Sequence, residues 1–125
     1  MFDWAKYDIM TTPTQGMRRI PVYRPVFIKL SNGRIATAKI VNISEHGIGI
    51  VFNAPGKVGA DLDVRFLLPV KCRLFEITAT AKLTHCHVSD DKFYSYLEFT
   101  DICNEDARLV KGFLDDKSVF FPIAA

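Results

Sequence analysis

Most of this 125-residue chain consists of short runs in which apolar and polar side chains alternate with the period of two that a strand requires. Leu62, Val64 and Phe66 alternate with Asp63 and Arg65 before Pro69 ends the run. Ile48, Ile50 and Phe52 share one face of a run over 47–52. Residues 22–30 are β-rich, and Ser31-Asn32-Gly33-Arg34 supplies the Asn-Gly pair favoured in type I′ hairpin turns. Residues 35–43 then return as a second strand. A plain alternation there puts Ala36, Ala38, Ile40 and Asn42 on one face, and Ile35, Thr37, Lys39, Val41 and Ile43 on the other. The long run 75–87 is rich in Thr and Ile, Ser89-Asp90-Asp91-Lys92 turns it, and 93–99 comes back as a sixth strand.

After the sixth strand the period changes to that of a helix. Asn104 is placed as an N-cap, Glu105 and Asp106 fall in the first turn, and Leu109, Val110, Phe113 and Leu114 repeat at helical spacing. Six short antiparallel strands leave exposed edges unless the sheet closes on itself. The expected fold is therefore all-β with a C-terminal helix, a six-stranded antiparallel β-barrel. Residues 1–17 read as an N-terminal segment and flexible arm, 18–116 as the barrel with its helix, and 117–125 as an apolar tail.

One domain fits this length. No apolar run approaches the ~20 residues that span a bilayer, so no membrane insertion is expected. The first ten residues, MFDWAKYDIM, lack the basic start and apolar block of a secretory signal, which points to a cytoplasmic protein. Cys72, Cys86 and Cys103 form no CxxC pair and are expected to be small buried apolar residues.

The residues of catalysis are not assembled. No HExxH, GxSxG or Walker-type loop occurs. His85-Cys86-His87 alternates across a strand, so at most two of the three reach one metal, and Ser44 beside His46 has no visible orienting acid. The chain reads as a binder, not an enzyme, with neither metal nor cofactor.

Two features suggest what is bound. Residues 1–39 carry seven bases against two acids, net +5, whereas the remainder carries nine bases and twelve acids, net −3. This is either chance clustering on a solvated surface or a basic arm that meets an anion. Second, Asn42 and Ser44 project to one face if the strand continues through Ser44, with Gly47 and Gly49 following. Asn42 offers a donor and an acceptor, Ser44 offers a rotatable hydroxyl, and the glycines admit a flat ligand close to the backbone. The alternative is a strand end closed by Asn and Ser turn hydrogen bonds, with glycines at a bulge.

The segment Asn42-x-Ser44-x-x-Gly47, following a basic arm, resembles the [D/N]xSxxG half of the PilZ domain signature. Arg19-Ile-Pro-Val with 25–30 is similar to that family's approach to its first strand, and 96–102 to its last, with the helix after it. The resemblance implies a six-stranded barrel that binds cyclic di-GMP and signals to a protein partner. It implies Arg18 and Arg19 as a clamp on phosphate and guanine, Asn42 and Ser44 as readers of guanine or ribose, and Gly47 as the point of close approach. The family's RxxxR half is degenerate: its second arginine falls on Arg19 and its first on Gln15, with Arg18 adjacent. Gln15 can hydrogen-bond but cannot fork a cation onto guanine or phosphate. Some family members without the signature act as protein adaptors, which is the alternative reading, with Trp4, Tyr7 or Phe120-Phe121 as contacts. Nucleic acid is not an expected partner, since only Tyr23 interleaves with these arginines. Residues 11–19 hold Pro13 and Gly16 and little apolar surface, so the arm is expected to move until ligand orders it.

Overall fold

The computed structural model describes residues 19–117. The arm, including Gln15 and Arg18, lies outside the described residues, and so does the tail beyond Lys117. Six strands follow in order: β1 (Arg19–Lys29), β2 (Ile35–Ser44), β3 (Gly47–Phe52), β4 (Asp61–Val70), β5 (Arg73–Ser89) and β6 (Lys92–Ile102). One helix, α1 (Asn104–Lys117), ends the described chain. All neighbouring strands are antiparallel, and they close in the order β1-β2-β3-β6-β5-β4. The expected barrel and helix are both present.

Closure follows from where the apolar side chains must go. Along β4, Leu62, Val64, Phe66, Leu68 and Val70 are buried, while Asp61, Asp63, Arg65 and Leu67 face water. Phe66 is 2% exposed, and burying such a ring stabilises by about 1.5–3 kcal/mol. Its bulk is accommodated by a core that also contains the small residues Ala38, Ala79 and Ala81. The seam between β1 and β4 is only four pairs long, from Val26↔Phe66 to Lys29↔Asp63. Val26 and Phe66 meet there with both side chains in the core, so apolar burial seals a short ladder.

The helix adds Val110, Phe113 and Leu114 to the same core. Its start differs from expectation by one residue. Cys103, not Asn104, is the N-cap: its carbonyl accepts the Ala107 N–H at 2.9 Å and its sulfur accepts the Asp106 N–H at 3.4 Å. Asp106 in turn accepts the Thr78 N–H at 3.1 Å, which ties the first turn to β5. Cys103 and Cys72 are exposed and Cys86 is half-buried, so the cysteines are not the buried apolar residues expected. Cys103 is spent on a cap and Cys72 on a turn.

The turns supply two further corrections. The loop after β1 is not a two-residue type I′ turn. Leu30 and Arg34 pair across it, the Leu30 carbonyl accepts the Gly33 N–H at 2.9 Å, and only Gly33 has positive φ, at 86°. This is a three-residue hairpin loop with glycine in the left-handed position, braced by Asn32 Oδ1 accepting the Arg34 N–H at 2.9 Å. Paired left-handed residues occur elsewhere, at Lys71-Cys72 (φ 49° and 65°) and Asp90-Asp91 (φ 52° and 64°). The first pair has neither Asn nor Gly and carries a steric cost of about 1–2 kcal/mol per residue. Replacing Lys71-Cys72 by Asn-Gly is expected to raise stability by about 1–2 kcal/mol, read as a higher urea midpoint at unchanged m. A lower midpoint would show that this turn is not strained.

Candidate functional site

Two bulges determine which residues can meet a ligand. The β1–β2 register slips between Pro21 and Arg24, and the β2–β3 register slips between Ile40 and Asn42. Val41 is thus an extra residue in β2, and the alternation reverses across it. Ile40 and Ile43 both lie in the core, although a regular strand would put them on opposite faces. Asn42 therefore does not share a face with Ala38 and Ile40, as plain alternation predicts. It stands with Ser44 on the outer wall of the barrel.

On that wall Asn42 pairs with Gly49, and Gly49 with Tyr96; Ser44 pairs with Gly47. Three strands thus bring Asn42, Ser44, Gly47, Gly49 and Tyr96 together. Both glycines are required by this packing. A Cβ on Gly49 would lie 2.6 Å from Asn42 Oδ1, and one on Gly47 would strike the Leu97 carbonyl and lie 2.7 Å from the Tyr96 hydroxyl.

Asn42 and Ser44 differ sharply in how their polar groups are satisfied. Ser44 is fully buried, and its Oγ donates to the Gly47 carbonyl at 3.3 Å and accepts the His46 N–H at 3.3 Å. It also meets the Tyr96 hydroxyl at 3.1 Å. These partners account for its one proton and two lone pairs. Ser44 thus does what the turn-closing alternative requires. Asn42 is 4% exposed, yet its Oδ1 has no hydrogen-bond partner among the described residues. An acceptor left in this condition costs about 1–3 kcal/mol.

Of the arm residues, only Arg19 is described, and by its backbone alone: it pairs with Ser44 across the β1–β2 ladder. The arm therefore joins the barrel beside Asn42 and Ser44. Gln15 and Arg18 lie outside the described residues. Tyr96 is the member of this group that sequence reasoning missed as a site residue. Its parity opposite the apolar Leu97 is visible in the sequence, but its place beside Ser44 depends on β6 pairing with β3. Among the described residues no group of three or more His, Cys, Asp or Glu is placed to hold a metal, and no helix is long and apolar enough to cross a membrane.

The Ser44→Ala variant is expected to lose about 1–3 kcal/mol of unfolding free energy, because Tyr96, Gly47 and His46 lose a partner. Asn42→Ala should change it by less than about 1 kcal/mol, since it deletes an unpaired group. Gly47→Ala should cost more than Gly49→Ala, the first meeting backbone and the second a side-chain end. Chemical denaturation of the four variants checks the ranking, and equal losses at Asn42 and Ser44 would contradict it.

The PilZ domain family profile matches residues 15–116. Among solved structures, the Bacillus subtilis inhibitor of motility MotI/DgrA superposes with a TM-score of 0.76 at 18% identity, over 90% of this chain and 55% of that one. The K. pneumonia MrkH–c-di-GMP complex gives 0.71 at 17% identity, over 86% and 53%. The PilZ domain of Escherichia coli YcgR with c-di-GMP gives 0.64 at 11% identity, over 89% and 100%. The chain thus spans about half the length of MotI and of MrkH. No curated protein sequence matches it.

Proposed function

Since the chain belongs to the PilZ domain family, a family of binding and adaptor domains, we propose that it is a cytoplasmic, non-catalytic receptor for cyclic di-GMP that signals to a protein partner. The observation that carries this reading is Asn42 Oδ1, a buried acceptor with no described partner on the outer wall. A guanine presents N–H donors on one edge, and such a donor would satisfy that oxygen. Arg18 and Arg19 would supply charge-assisted hydrogen bonds to phosphate and to guanine O6 and N7. The register of Arg19 opposite Ser44 puts the arm's attachment point at this position.

Burial of Asn42 and Ser44 means that a ligand reaches them only through a rearrangement. The arm is the segment we assign to that movement. Fixing it over the ligand costs about 1–2 kcal/mol per residue in backbone entropy, which the phosphate and guanine contacts must exceed. Residues 1–10, with Trp4 and Tyr7, would travel with it and present a changed surface to the partner. Gln15, standing where the signature has an arginine, favours a second reading, an adaptor that works by protein contacts without nucleotide.

Calorimetric titration with cyclic di-GMP separates the two. Binding is expected, weakened at least tenfold (about 1.4 kcal/mol) by Asn42→Ala and tightened by Gln15→Arg. No heat at millimolar nucleotide would leave the adaptor reading. Hydrogen exchange over residues 11–18 should slow on binding; equal protection with and without nucleotide would show that the arm is not the switch.

A further inference from the structure

Along the outer wall, the row that follows Asn42, Gly49 and Tyr96 consists of Lys39, Val51 and Tyr94, paired across the same three strands. On β3 and β6 the rows are two residues apart, about 6–7 Å along the strands. The second row opens into a pocket of about 600 Å³, lined also by Tyr23, Arg24 and Lys92. Three of its lining residues are cations, and Asp90 is its one acid. A concave surface of one dominant sign concentrates anions. The larger groove on the β1–β4 wall, about 720 Å³, differs in character: Asp63 and Glu76 there stand against Arg24, Lys29 and Arg65, and Arg65 lies 3.8 Å from Glu76.

We propose that the Lys39–Lys92–Arg24 pocket holds the far half of the ligand, its second phosphate and second base. This rests on the receptor reading above. A cyclic dinucleotide has two guanines and two phosphates, and one row of side chains on a barrel wall is too narrow to engage all of them. With one guanine at Asn42, the remainder of the molecule extends along the wall into the next row. There Lys39 and Lys92, both exposed, act as point charges for a phosphate. Arg24 is able to fork onto phosphate or onto the O6 and N7 edge of the second guanine. Tyr23, 53% exposed, offers aromatic surface against which a base packs.

The test is titration of the full chain with cyclic di-GMP at several salt concentrations, with two double variants. Lys39→Ala/Lys92→Ala is expected to weaken binding at least tenfold, to flatten its salt dependence, and to leave the unfolding midpoint unchanged. Lys29→Ala/Arg65→Ala removes the same charge from the opposite wall and should leave affinity within twofold of the parent. Affinity within twofold for the first variant overturns the inference and leaves the receptor reading standing. An equal loss in both variants also overturns it, since the effect is then the field of the whole domain. A parent chain that binds no cyclic di-GMP overturns the receptor reading and this inference with it.

Discussion

A closed barrel gives each strand side chain two destinations, the core or the outer wall, and one inserted residue exchanges them. Val41 is that residue in β2. Before it, Ala38 and Ile40 point inward; after it, Ile43 does, and Asn42 and Ser44 are carried outward. Without the bulge Asn42 would enter an apolar core, where an amide has no partners, and Ile43 would stand in water. The outer wall of β2, β3 and β6 owes its polar cluster to this single irregularity. The slip in β1 between Pro21 and Arg24 keeps the neighbouring strand in step, with Ile20 and Val26 both in the core on either side of it.

Within that cluster the two motif residues divide the labour. Ser44 is engaged inside the fold, joining β2 to β6 through Tyr96 and closing the turn through His46 and Gly47. Asn42 is left with an acceptor that the described protein does not use. One short signature therefore contains a structural residue and a candidate for recognition, and its glycine is required for packing before any ligand is considered. Gly47 has no room for a side chain because the Leu97 carbonyl and Tyr96 hydroxyl already occupy the space.

Much of the fold was legible because β4 alternates cleanly and the period shifts at the helix. Leu62, Val64 and Phe66 could be assigned to the core by counting alone. Counting failed at Val41, because a bulge leaves no mark on composition and both Ile40 and Ile43 are apolar. It failed again at Lys71-Cys72, where the left-handed conformation is imposed by β4 and β5 pairing on either side and not invited by the residues themselves. The cap at Cys103 was not legible because a thiol is a weaker acceptor than the Asn104 amide beside it, which the helix takes up as its first residue. Of the candidate site, Asn42, Ser44 and Gly47 were legible as a motif. Tyr96 was not, since its neighbours come from a strand far away in sequence.

Two of the seams, β3 with β6 and β1 with β4, join strands that are not consecutive. As the chain emerges during synthesis, the edge of β1 stays bare until β4 arrives, and the edge of β3 stays bare until β6 does. Such distant pairings are paid for in loop entropy before they return any contact energy, so closure is a late and slow event. Until then Ile48 and Ile50 lack the wall that shelters them, and β3 presents unpaired backbone to any neighbouring strand. The polar cluster around Asn42 spans β2, β3 and β6, so it comes into existence only when β6 pairs with β3.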